Sequence, residues 1–300
     1  MKTPSLLTLA AGFALSTAAS ASVTIDWVTV GNTGNAADTT GYGAVGYVYQ
    51  IGKYEVTNAQ YGAFLNAVAQ TDSYGLYNSS MATFGITRSG SSGSFTYSVT
   101  GALANRPVVY VSWFDAARFA NWMMNGQGSG STETGAYTLN GATSGIILAN
   151  AGAQVYIPTE DEWYKAAYYN ATNQTYSVYP NGENAITTAD ANYGSTGSTD
   201  VGSYSNDPSY YGTFDQGGNV WEWNDAVLTG LQRGLRGGAG LNGFGGIFDG
   251  VSGLASSTRG SLFSTDEYAN SGFRLASVPE PSAMVLTVLF GAGLFCRRKR

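Results

Sequence analysis

The sequence predicts an α+β domain held together by long irregular loops. Three short runs of β-forming residues, at 46–51, 107–111 and 153–157, each lead into a helix start. Those starts carry capping-box spacing: Thr57 with Gln60, Ser112 with Asp115, and Thr159 with Glu162. The composition agrees. Charged residues make up only 11%, with 41 glycines and 21 tyrosines, unlike a helical bundle, while 43% hydrophobic content is ample for a core. The stretch 170–214 is polar, with tyrosines spread through it, and reads as long ordered loops.

In chain order, residues 26–30 and 46–51 form extended stretches rich in β-formers. The helix after Thr57 presents Tyr61, Phe64, Leu65 and Val68 on one face at i, i+3, i+4 and i+7. Residues 89–94 are rich in serine and glycine and mark a loop or hairpin tip. The strand 107–111 feeds a helix in which Trp113, Ala117 and Ala120 line one face, and glycines from 126 onward break it. The strand 153–157 stops at Pro158, and Thr159 opens a helix carrying Trp163, Ala166 and Ala167.

The two ends read as targeting segments. Lys2, an apolar run over 6–14 and the small residues Ala19, Ser20 and Ala21 predict a signal peptide, residues 1–21, cleaved by signal peptidase after Ala21. At the other end Pro279, Glu280 and Pro281 precede an apolar run over 283–295, then Arg297, Arg298, Lys299 and Arg300. The run is short for a full membrane span, and its basic end marks the cytoplasmic side. This arrangement resembles the PEP-CTERM sorting signal of Gram-negative bacteria. The resemblance implies processing at Pro279, Glu280 and Pro281 by an exosortase. Residues 278–300 are then a short transmembrane tail, and residues 22–277 a single exported domain.

Several chemistries are excluded by residue type. There is no histidine, so His-ligated zinc or iron, a Ser-His-Asp triad and a His general base are absent. The single cysteine, Cys296, lies in the tail, so no intramolecular disulfide can form. A net charge of -6 argues against nucleic acid or an anionic membrane surface as the main partner and suits cations.

The densest stretch runs from Asp215 to Trp223, DQGGNVWEW. Two glycines allow a tight turn, two tryptophans need partners for their indole N–H groups, and Glu222 between them is drawn inward. A buried carboxylate must be paired or bound to a cation, and the stretch alone leaves both open.

The order of motifs resembles the formylglycine-generating-enzyme, or sulfatase-modifying-factor, family. The matching runs are IGKYEVTN at 51–58, RPVV at 106–109, VSWFDA at 111–116, PTEDEW at 158–163, GGNVWEW at 217–223, RGG at 236–238 and GFR at 272–274. They span nearly the whole chain between the targeting segments. The resemblance implies a C-type-lectin-like α+β fold with little regular secondary structure. It also implies a calcium site formed by the Asp215 and Glu222 carboxylates and the Gly218 and Val220 carbonyls, a suitable oxygen set for that ion. A second calcium site would use Asn192 and the Tyr193 carbonyl, with Asp200 standing in for a missing acid.

The departures from the family are decisive for function. Its oxidases use two copper-binding cysteines just after the Arg-Gly-Gly motif, where this chain has Asn242 and Ile247. Its iron branch uses histidine, which is absent here. Copper and iron are therefore not expected. Two functions stay open. One is a non-catalytic binding or structural module at the surface or in the extracellular matrix, with a polysaccharide or surface protein as ligand. The other is an enzyme with altered chemistry, using carboxylates such as Asp225, Asp249 or Glu267. No paired-carboxylate spacing singles out any of these three, so the first reading is favoured.

Overall fold

The computed structural model describes residues 22–241 and 250–278. The predicted signal segment 1–21, Pro279, Glu280 and Pro281, the apolar run 283–295, and Asn242, Ile247 and Asp249 lie outside the described residues. Among the described residues no helix is long and apolar enough to cross a membrane.

Strand β1 (Trp27–Val30) pairs antiparallel with β2 (Tyr49–Gly52), Trp27 opposite Gly52 and Val30 opposite Tyr49. Helix α1 (Asn58–Val68) begins on the predicted capping box: Thr57 Oγ1 accepts from the Gln60 amide, and the Thr57 amide donates to Gln60 Oε1. One helical turn, α2 (Met81–Phe84), leads into a hairpin of β3 (Ile86–Ser89) and β4 (Thr96–Val99), with the predicted serine-glycine loop at its tip. Helix α3 (Trp113–Met124) starts at the Ser112–Asp115 box. Strand β5 (Val155–Tyr156) precedes α4 (Glu160–Tyr168), which opens on the Thr159–Glu162 box. A small hairpin, β6 (Tyr169–Asn170) with β7 (Thr175–Tyr176), is the only strand pairing found within 170–214 among the described residues. The chain then forms β8 (Trp221–Val227), β9 (Gln232–Arg236), β10 (Gly260–Phe263), β11 (Ser271–Gly272) and β12 (Ala276–Ser277).

One predicted strand does not form. Residues 107–111 are buried, apart from the partly exposed Tyr110, but join no sheet beyond a single bridge from Pro107 to Thr57. Pro107 has no N–H to donate. The Val108 amide bonds to the Val56 carbonyl, and the Tyr110 amide to the Tyr268 carbonyl. Tyr110 also sits at φ 58, which turns the chain out of any ladder. Strand β5 is shorter than expected because its partner β12 has two residues, and the Ile157 amide bonds to the Tyr137 hydroxyl instead.

Among the described residues the two four-stranded sheets are ordered β1-β2-β12-β5 and β10-β9-β8-β11. Ala276 of β12 lies between Ile51 of β2 and Tyr156 of β5, so the end of the chain closes the sheet begun by its first strands. In the second sheet β11 runs parallel to β8, with Gly272 opposite Glu222. The two sheets are therefore joined by Phe273, Arg274 and Leu275, which lie between β11 and β12. Phe273 enters the aromatic core, 5.5 Å from Phe119, which in turn packs 5.4 Å from Phe64. Burying these rings supplies area and edge-to-face contact. Arg274, its neighbour, supports the site.

Candidate functional site

The turn 215–219 is built from backbone that few residues adopt. Asp215 and Asn219 have φ of 61 and 60, and Gly218 has φ 91. The Gly218 amide donates to the Gly237 carbonyl at 2.7 Å and the Asn219 amide to the Asn192 carbonyl at 2.8 Å. A Cβ at Gly218 would fall 2.3 Å from that Asn192 oxygen, so glycine is required there. The Asn219 side chain accepts from the Thr199 amide and donates to Glu55 Oε1 at 3.0 Å. Residues distant in sequence thus meet at one turn.

Glu222 follows that turn and is fully buried. Its partner is Arg274. Nε donates to Glu222 Oε2 at 2.5 Å and Nη2 to Oε1 at 2.6 Å, a bidentate pair. The remaining guanidinium protons go to the carbonyls of Gly52, Lys53 and Phe214, so all five donors are used. Trp163 Nε1 adds a bond to Glu222 Oε2 at 2.7 Å. Of the two flanking tryptophans, Trp223 donates to the Val111 carbonyl, whereas the Trp221 indole N–H is buried without a partner. Glu222 is thus held by a guanidinium and an indole. The Gly-Phe-Arg motif carried the signal: an arginine flanked by apolar residues in a buried stretch needs a buried acid.

Arg274 is outnumbered. Glu55, 2% exposed, lies with its Oε2 4.0 Å from Arg274 Nη2, and that oxygen has no hydrogen-bond partner. Burial, with Asp215 beside it, pushes the Glu55 carboxyl well above the usual range despite the attraction of Arg274. Asp215, whose Oδ2 accepts from the Gly202 amide, is pushed up to about 6 by burial, with that bond and Arg274 acting against the shift. Three carboxylates surrounding one guanidinium, one of them with an orphaned oxygen, form a setting that favours a further positive charge.

The residues fit a cation in part. Among the described residues no three Asp, Glu, His or Cys side chains converge to hold an ion. A calcium ion here would draw on Asp215, on the Gly218 and Val220 carbonyls, and on Glu55, which sequence reasoning did not single out. Glu222 is shared with Arg274. At the second expected site, the Asn192 amide donates to Gly197 O and Asn219 Oδ1, and the Tyr193 hydroxyl donates to Ile186 O.

Next to the Arg-Gly-Gly stretch the charges satisfy one another. Glu160 Oε1 accepts from Arg236 Nε and Arg259 Nε, each at 2.8 Å, and Oε2 is bound by Arg259 Nη2. Both guanidiniums lie over the Tyr42 ring. Of the other acids weighed from sequence, Asp225 and Glu267 are among the described residues, and each has its own partner. Asp225 pairs with Arg233 at 2.8 Å and is pushed up to about 7 by burial, while Glu267 accepts from Asn78 at 2.6 Å. No pair of free carboxylates is assembled from them.

Residues 6–278 match the family described as the sulfatase-modifying factor enzyme 1-like domain, and the chain belongs to it. Its structure is similar to that of CarF, with 22% identity over 86% of this chain and 99% of that one and a TM-score of 0.56. It is also similar to variable protein 1 of Treponema denticola, with 20% identity, the same coverage and a TM-score of 0.57. The shared fold is mixed, with small helices and sheets. No curated protein sequence matches the chain.

Proposed function

We propose that this family member is an exported surface or extracellular-matrix protein whose domain works as a non-catalytic binding or structural module. The observation carrying this reading is the state of the groups beside the Arg-Gly-Gly stretch. Glu160 is saturated by two arginines, and the sequence offers Asn242 and Ile247 where the family's oxidases have thiols. The paired thiols and the histidine by which the family's two branches hold copper and iron are thus both missing. A polysaccharide or surface protein is the proposed ligand class, and calcium at the Asp215 turn is a proposed structural ion.

The test is mass spectrometry of a cysteine-containing sulfatase peptide incubated with the protein, with and without copper. The expected result is an unchanged thiol. Conversion to the aldehyde would overturn the reading. Asn242→Cys with Ile247→Cys is expected to leave the peptide unconverted, because the surrounding groups must also be organised for the chemistry.

Export is proposed from the terminal signals. Signal peptidase cuts after Ala21, and an exosortase of a Gram-negative host acts at Pro279, Glu280 and Pro281. Before that second cut the tail tethers the protein to the membrane. Intact mass of protein from the host surface is expected to begin at Ser22 and to lack Arg297, Arg298, Lys299 and Arg300. A mass including those four residues counts against processing.

A further inference from the structure

We infer that, while the tail is present, the face of the domain around Val278 lies against the lipid surface with its apolar side chains in the headgroup region. This inference rests on the membrane tether proposed above. The face is a groove of about 340 Å³ lined by Tyr47, Val48, Ala153, Tyr156 and Val278, with Asp225 at its side. Its lining residues Tyr47 and Val48 are 48% and 44% exposed, and Ile146 and Leu148, 49% and 66% exposed, come just before the lining residue Ala149 in the chain. Grouped apolar exposure of this kind marks an interaction surface.

The position of the chain's exit selects the partner. The Val278 amide donates to the Gln154 carbonyl at 3.1 Å, which continues the β12–β5 pairing and fixes where the chain leaves the domain. Val278 itself lines the groove. The apolar run begins at Ala283, five residues on. Fully extended, that connection reaches at most roughly 18 Å. The polar headgroup layers account for about 10–15 Å of bilayer thickness over both leaflets. A tail inserted from Ala283 therefore keeps Val278 within roughly 18 Å of the hydrocarbon, close enough for the groove face to reach the headgroups.

Charge does not oppose this contact. Asp225 is the one ionisable acid in the lining, it is paired with Arg233, and no lysine or arginine lines the groove. The Tyr47 hydroxyl donates to Glu162 Oε1 at 2.9 Å, so its polar end is satisfied by the domain and its ring is free to meet the interfacial layer. The contact is apolar, so it should form on zwitterionic lipid and persist in high salt.

The experiment uses the chain from Ser22 to Arg300 in phosphatidylcholine vesicles. Cys296→Ser removes the native thiol, and single cysteines at Val48→Cys or Leu148→Cys carry an environment-sensitive fluorophore. The control is Ser91→Cys in the β3–β4 hairpin tip, which packs near Gln70 and Thr71 and shares no residue with the groove. Protein that floats with vesicles is expected to show blue-shifted emission at positions 48 and 148, quenched by brominated lipid, with neither effect at 91. Floating protein with water-like emission at 48 and 148 overturns the inference and leaves the tether intact. Protein that does not float overturns the tether and this inference with it. A blue shift that follows protein concentration without lipid assigns the face to a second copy and also overturns it.

Discussion

Two charged clusters in this domain are out of balance in opposite directions. Around Arg274, three carboxylates surround one guanidinium, and Glu55 Oε2 is left without a hydrogen bond. Around Glu160, two guanidiniums share one carboxylate, and both lie over the Tyr42 ring. The second imbalance is absorbed, because an arginine in excess of acid can use carbonyls and aromatic faces: Arg236 Nη1 donates to the Ser256 and Thr258 carbonyls. The first is not absorbed, because a buried carboxylate needs donors or a cation. Protein interiors thus tolerate excess guanidinium more readily than excess carboxylate.

The largest expected difference is between the two arginines that anchor these clusters. Arg274→Met leaves Glu222 and Glu55 buried without a counter-charge and should cost about 3–5 kcal/mol of unfolding free energy. Arg259, 30% exposed, shares Glu160 with Arg236, so Arg259→Met should cost under about 1 kcal/mol. Urea unfolding of both variants measures this. Equal losses would erase the distinction between the clusters.

The next effect is the response to calcium. If the acid-rich cluster takes an ion, calcium at one hundred times its Kd should add about 2.7 kcal/mol by linkage. Melting temperature in chelator and in calcium reads this gain. Asp215→Asn and Glu55→Gln should each reduce it, whereas Glu160→Gln should leave it unchanged although the variant is itself less stable. An identical melt in both conditions, with no calcium retained by elemental analysis, would make the cluster a purely structural knot.

The last test is of pH dependence, and it has a definite sign. Burial raises Asp215 to about 6 and Asp115 and Asp225 to about 7, and it raises Glu55 as well. Groups raised in the folded state give stability that is fully present below their unfolded pKa, near about 4, and lost as pH rises through the folded value. In chelator the melting temperature should fall between about pH 4 and pH 7. Calcium should flatten the share due to Asp215 and Glu55 and leave that of Asp115 and Asp225. A melting temperature that rises over this window in chelator would contradict the burial of these acids.

Sequence by itself determined the local events. Capping boxes at Thr57, Ser112 and Thr159 are decided within four residues, and all three form. The α1 face followed for the same reason, since Tyr61, Phe64 and Leu65 recur at helical spacing and are all fully buried. The order of motifs was enough to identify the family. Only the tertiary structure decided what depends on partners far along the chain. Residues 107–111 have strand composition, yet their amides bond to residues 56 and 268 rather than to a ladder. The partner of Glu222 was open in the sequence, and the fold places Arg274, 52 residues later, against it. Glu55 showed no special signal until Asn219 and Asp215 closed over it, 164 residues on in the case of Asn219. Helix starts depend on contacts along the backbone that any reader of spacing can see. Burial of charge depends on which distant groups share a volume, and that is fixed only when the sheets pack.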